Sequence, residues 1–519
     1  MAQTTRDIAM HVCNRIAFGP TPALMQQLTT PAAISAYITS QLNPTTNDNA
    51  ETTALLAQCG LPTAQATAAN IAGLQGAGEV RAAFSDWQLR EVMTRFWNDH
   101  FNRSFGVIRF FPAFGGIQIP PPNGDDYATW FIAQDDAFFR ANALGTFANL
   151  LNYTAGSVSM QIYLDNWQNK AGALNENWAR ELLELFTMGE RNQSTGTTNY
   201  GQQDVVGVAR CFTGWTVQNN GATPPLFGPG FDPLAMHDSS AKALFPGTAH
   251  PLTVRAGGDA RFDGSRVLTH LAGTTATKDF MVRKLMVLFL GEAAPTAYPT
   301  LLTTARNAWG SQGDIKAVLT VLLNSTQFLT AAQRWTKVKS PLRHDIGQIR
   351  AFGARANVGY GPYIEHMFTT WFAVGAMGQP LYSYPSPDGY PMTNAKQIGI
   401  SGYTDRIDIG ERIYWEPSDP FAGFYGPIGN PIVSVGPFDV GFAPEQLIYT
   451  QMPAPQWLNS TLVAGFLLTT CFGDKSIAPT DVAAVAAKIG TAAPQTLPYA
   501  IAVREACELI ATFTHYSLH

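Results

Sequence analysis

Residues 174–189 read Leu-Asn-Glu-Asn-Trp-Ala-Arg-Glu-Leu-Leu-Glu-Leu-Phe-Thr-Met-Gly. At about 100° per residue, Leu174, Trp178, Ala179, Leu182, Leu183, Leu185 and Phe186 fall on one half of a helix. Asn177, Glu181 and Glu184 form a stripe on the other half, beside Glu176, Arg180 and Thr187. Gly189 stands where a helix ends in a left-handed residue. Such a segment folds only as an amphipathic helix on a larger apolar body. Its polar stripe is either a solvated face with a Glu176–Arg180 pair worth a few tenths of a kcal/mol, or the wall of a cleft. In a cleft, neighbouring carboxylates bind a cation or hold a proton.

The same period recurs through much of the chain. Helix is expected over 7–41 with a break at Gly19-Pro20-Thr21, from about Ala64 to Phe101, over 137–151 and 202–213, and in a series between 263 and 355. It returns near 444–470, 479–489 and 497–515. Residues 105–125 are instead a Gly/Pro/Phe loop, 356–456 is dense in Gly, Pro, Tyr and Phe, and 218–260 reads as irregular. The expected fold is therefore mainly α: a large multi-helix globular body with long Gly/Pro/aromatic-rich ordered loops and few short strands. A chain of 519 residues exceeds one simple core. The expected division is a helical body over 1–355, then a loop-rich insertion and C-terminal helices over 356–519 that pack on it.

Composition removes several classes of function. With a net charge of -5 and only 14% charged residues, the chain offers no electrostatic case for nucleic acid. No run of 18 apolar residues is long enough to span a bilayer. The five cysteines lie far apart without a CxxC pair, which argues against a structural zinc site. Cys211 reads as core. Nucleophile elbow, phosphate loop and dinucleotide fingerprint are absent.

Several stretches, in order, resemble the domain-of-unknown-function 1800 family. His11–Thr21 is similar to its opening "hLLrRatFGpt", Phe96–Phe101 to "FWhnHF", Asn142–Phe147 to "nalGnf", and Tyr163–Asn166 to "YLDN". Asn175–Gly189 is close to "NENyaRELLELftlG". Gln203–Val205 with Gly214–Thr216 resembles "qaDV…ltGWt", His237-Asp238 with Lys242 "HD..gK", and Lys339–Leu342 "KsPle". Gly378–Pro380 with Gly389–Pro391 is similar to "GQ.p…GWp". Asn98 and Asp99 depart from the family's His-Asn, which weakens any two-histidine metal site on that helix. The resemblance implies a predominantly helical, exported protein with a sulfatase-like partner, and supplies no catalytic residues. On that basis the expected location is periplasmic or extracellular, with the leader removed, against a cytoplasmic alternative.

The polar residues in these stretches supply the candidate chemistry. Asp165, Glu176 and Glu181 are a candidate hard-oxygen site for a divalent metal such as calcium. Glu181, Asp204, His237 and Asp238 are candidates for acid, base or metal-ligand work. Paired carboxylates across a cleft would suit glycoside cleavage. His100, Arg180, Asn177 and Trp215 are candidates for holding substrate. Each has a structural alternative: Asp204 at the third position of a helix supports its first turn, and His237-Asp238 suits a loop turn. The expectation is an exported enzyme acting hydrolytically or lytically on a polysaccharide or other extracellular polymer. A non-catalytic binding or assembly protein presenting aromatic loops is the alternative, and a metal-dependent oxidoreductase the third. The enzyme reading rests on these groups meeting in one hollow beside the 174–188 helix; if they do not, a scaffold remains.

Overall fold

The computed structural model describes the chain except residues 1–3, 46, 115–121, 232–235, 331–334, 353–354, 357–373, 398–439, 442–443, 474–476, 514–515, 517 and 519. The expected loop-rich stretch therefore lies largely outside the described residues. The fold is mainly α, with three two-stranded antiparallel sheets among the described residues. Many helices start on a side-chain cap written into the sequence. Thr146, Asp259, Thr274, Asp314 and Ser340 each accept a hydrogen bond from the first turn that follows, satisfying an otherwise orphaned N–H.

Local chemistry also explains where regular helix stops. The expected 64–101 helix is two, Ile71–Phe84 and Gln88–His100. Ser85 is extended, its hydroxyl donates to Glu91 and accepts from the Trp87 N–H, so side-chain bonds replace the helical ladder. The 337–355 helix shortens to Pro341–Ala351 because Ser340 caps it and Pro341 opens it. The stretch expected to be irregular carries two hairpins. Trp215–Asn219 pairs with Phe227–Phe231, and Lys242–Leu244 with Leu252–Val254; their short runs gave little period to read.

The 174–188 segment is not one regular helix. A turn of α-helix over Asn177–Glu181 passes into a π-helical turn over Leu182–Phe186. Leu174 is exposed outside it, whereas Trp178, Leu182, Leu183 and Phe186 are fully buried. Gly189 closes the segment at φ +70°, where a Cβ would come within 2.8 Å of the Phe280 ring, so both conformation and space require glycine.

The main core runs from Ala9 to Tyr382 in sequence. A second core gathers the C-terminal helices Pro444–Gln451, Ser460–Phe472, Pro479–Ile489 and Leu497–Thr512 around Ala351 and Phe352. All five cysteines are buried free thiols. Among the described residues no helix is long and apolar enough to cross a membrane.

Candidate functional site

The Gln88–His100 helix is aimed by a buried polar network. Asn98 donates to Asp136 (2.9 Å) and accepts from Arg103, which also pairs with Asp135 at 2.8 Å. Arg81 and the Tyr382 hydroxyl complete the shell of Asp136, each at 2.9 Å. Buried charges persist only when paired and hydrogen-bonded in this way. With Asn98 anchored inward, the following residues Asp99 and His100 border a cavity of about 480 Å³.

Four parts of the chain form most of that cavity's wall, the Gln88–His100 helix, the Thr275–Leu290 helix, residues 337–343 and residues 388–397, with Glu292 and Pro295 beside them. The last segment is fastened by backbone contacts. Asn102 donates to the carbonyls of Tyr384 and Ser386, and the Tyr163 hydroxyl to that of Pro385. Gly389 lies so close to the Gln88–His100 helix that a Cβ would fall 2.0 Å from the Asp99 carbonyl oxygen. On the neighbouring wall, Gln379 accepts from the Leu342 N–H (3.1 Å), while Asn394 accepts from Val338 and donates to the Thr336 carbonyl, both at 2.9 Å.

His100 packs among Phe96, Phe101, Phe147 and Phe186. Its Nε2–H donates to the Phe186 carbonyl at the end of the π turn (3.1 Å). Nδ1 must then present its lone pair, and Lys284 Nζ donates to it at 3.0 Å. Burial, and secondly the Lys284 charge, hold the imidazole well below its ordinary pKa. Burial also lowers Lys284 to about 8, with Asp388 and Asp99 opposing the shift. The result is a neutral, fixed imidazole beside a lysine whose charged form is disfavoured by desolvation. Asp99 is itself raised by burial while paired with Arg95 at 3.2 Å.

Glu181 lies beside this region rather than within the cavity wall. Desolvation first, then the Glu184 charge, raise it to about 7; Arg180 lowers it and Asp388 adds to the rise. Its acidity is thus coupled to a cavity residue. Glu176 binds Arg180 (2.9 Å) and Gln202 (2.7 Å), while Asp165 accepts from Gln168 (3.2 Å). Asn177 is exposed, with its N–H on the Asn175 side chain. The expected metal set Asp165, Glu176 and Glu181 does not converge, and no group of three or more His, Cys, Asp or Glu suited to a metal occurs among the described residues.

The remaining candidates lie apart from this cavity, around the two hairpins, their side chains buried except for the partly exposed Asp238. Asp204 accepts from Gly201 (2.8 Å) and from the Phe245 N–H (2.5 Å), so both oxygens hold backbone at the start of the Gln202–Cys211 helix. His237 Nδ1–H donates to the Thr213 carbonyl at 2.9 Å, and Nε2 faces Asp263 at 3.3 Å, with side chains only 1% and 0% exposed. Lys242 pairs with the same carboxylate at 2.6 Å. Asp238 binds Arg210 at 2.6 Å and is pulled below the usual carboxylate range by bonds from Arg210 and Ser240, against the opposing effect of burial. Trp215 is buried and donates to the Ala260 carbonyl at 2.7 Å. The expected single hollow is therefore corrected: Asp204, His237, Asp238 and Trp215 knit the hairpins to the neighbouring helices.

Sequence reasoning did not single out Lys284, Lys337, Asp99 or Asp388 as site residues. A lysine on an amphipathic helix, such as Lys284, or in a connecting segment between helices, such as Lys337, carries no motif. The available signal was the adjacency of Asp99 to His100, and of Asp388 to Gly389-Tyr390-Pro391.

Fold and site together define a mainly helical protein with a half-open cavity lined by charged side chains. The chain belongs to the family described as Protein of unknown function (DUF1800), which matches residues 11–116 and 117–516. No curated protein and no solved structure matches it.

Proposed function

We propose that this protein is an exported enzyme that cleaves a polysaccharide or other extracellular polymer, hydrolytically or lytically, in the cavity between the Gln88–His100 and Thr275–Leu290 helices. The observation that carries the reading is the Lys284–His100 pair at 3.0 Å in the wall of a cavity that also contains Asp388 and Asp99. A lysine lowered to about 8 is largely protonated at pH 7 and can give its proton to a leaving oxygen as the C–O bond breaks. A carboxylate across the cavity, Asp388 foremost because it is exposed, takes the proton from attacking water, or from carbon in the lytic variant. His100 has both ring nitrogens engaged and serves as a positioning residue. Phe96, Phe280 and Tyr390 line the same cavity and offer apolar faces of the kind sugar rings pack against.

The test is a screen of neutral and acidic polysaccharides for new reducing ends and for unsaturated products. Lys284→Met should lower turnover about 10²- to 10⁴-fold, the usual contribution of a positioned acid or base, with the melting curve retained. A folded Lys284→Met protein with undiminished turnover would sink the assignment. His237→Ala is the contrasting variant, since its loss should act through folding.

A further inference from the structure

The cavity wall carries six basic side chains, Arg95, Arg283, Lys284, Lys337, Arg343 and Lys396, against three acidic ones, Asp99, Glu292 and Asp388. That is a formal excess of three basic side chains in one hollow, in a chain whose net charge is -5. Arg95 and Arg283 are neutralised by Asp99 and Asp279. Among the described residues, no carboxylate lies within ion-pair distance of Lys284, Lys337, Arg343 or Lys396.

The imbalance is sharpest around Lys337, which is 4% exposed. Its Nζ has a 3.3 Å bond to the Met392 carbonyl. Arg15 and Arg343, both buried, repel its charge, and Glu292 gives the weaker opposing attraction. Arg343 is held by the Asn14, Ala17 and Arg15 carbonyls at the end of the Thr5–Ile16 helix. There the helix dipole offsets part of its charge, and its position is fixed. Buried cations that repel one another are costly. Such an arrangement suits a site whose ligand brings the missing negative charge.

We propose that the Lys337–Arg343 side of the cavity is a receptor for an oxoanion carried by the ligand, a carboxylate or sulfate group, with Lys337 as its direct contact and Arg343 as fixed supporting charge. This deepens the preceding reading and rests on it in taking the same cavity as the site: the substrate is an acidic polymer, such as one containing uronate or sulfated sugars. Exposed Lys396, on the same cavity, adds long-range attraction for such a chain.

Calorimetric titration of the full chain at pH 6.5 with glucuronate, inorganic sulfate and glucose tests the proposal. Saturable binding of glucuronate or sulfate, with glucose at least tenfold weaker, is expected. Glucuronate without sulfate points to a sugar carboxylate; sulfate without glucuronate points to a sulfate group. Lys337→Met should weaken anion binding at least tenfold. Lys337→Arg should restore it and flatten its decline between pH 6 and 9, because the guanidinium keeps its charge. Lys284→Met should weaken binding by a smaller factor than Lys337→Met. Glucose binding as well as the anions, no saturable anion binding by the wild type, or unchanged anion affinity in folded Lys337→Met would overturn the receptor. Anion binding without turnover of any polymer would remove the enzyme reading alone. Turnover of a neutral polymer without anion binding would remove this one alone.

Discussion

Glu181 shows how a residue's role follows from its surroundings rather than its type. Beside Glu184 and partly out of water, it retains a proton to about pH 7, against an ordinary 4.5. Between those values the folded chain binds more protons than the unfolded one, so this residue's contribution to stability falls as pH rises from about 4.5 to 7. Glu181→Gln removes the liability. Its melting temperature should exceed that of the wild type at pH 8, and the difference should vanish near pH 4. Melting curves at the two values check this; an equal gain at both would mean that neither burial nor repulsion from Glu184 penalises the charged form of Glu181. Asp204 is the contrary case, a carboxylate fully engaged by backbone donors.

At the scale of elements, the polar motifs divide by what they hold. The start of the Gln202–Cys211 helix depends on Asp204, so Asp204→Ala should cost about 1–2 kcal/mol, the upper part of the range for a lost cap, because the Phe245 N–H loses its acceptor as well. Urea unfolding measures this, and anion binding by the folded fraction should stay intact. A loss of binding at full stability would place Asp204 in the ligand site instead. The Gln88–His100 helix has the other role. Its Asn98 is tied to Asp136 directly and to Asp135 through Arg103, which lets its end deliver His100 to Lys284 and bring Asp99 against Gly389.

Across the whole molecule, lysines buried without carboxylates should leave a signature in the pH dependence of stability. Lys337 is lowered from 10.5 to about 7 and Lys284 to about 8, burial being the first cause in both. Between the folded and unfolded values the unfolded chain binds more protons, so these groups make stability rise with pH. Buried thiols act in the opposite sense above about pH 9: Cys13, for instance, is raised to about 12, and the unfolded thiol ionises first. The useful window is therefore about pH 7 to 8.5. There the Lys337→Met protein should gain less stability with rising pH than the wild type. Denaturant midpoints across that window measure the difference, and parallel profiles would show that Lys337 keeps its ordinary acidity in the fold.

The helical class was legible because 3.6-residue periodicity and stops such as Gly189 are local properties. The same locality made Asp204 readable as support for a helix start and Trp178 as core. The π turn at Leu182–Phe186 and the break at Ser85 escaped, since each depends on which competing hydrogen bond the packed chain selects. The site was only partly legible. His100 stood out by type, but its partner Lys284 is 184 residues away, and no sequence pattern specifies that meeting. Likewise His237, Asp238 and Lys242 looked chemical together until Asp263, Arg210 and Thr213 closed around them. Sequence alone determined the helical class and much of the buried apolar face, as at Trp178, Leu182, Leu183 and Phe186. Tertiary structure decided which charges lose water and which neighbours they meet, because desolvation and Coulomb interaction depend on distance through space, not along the chain.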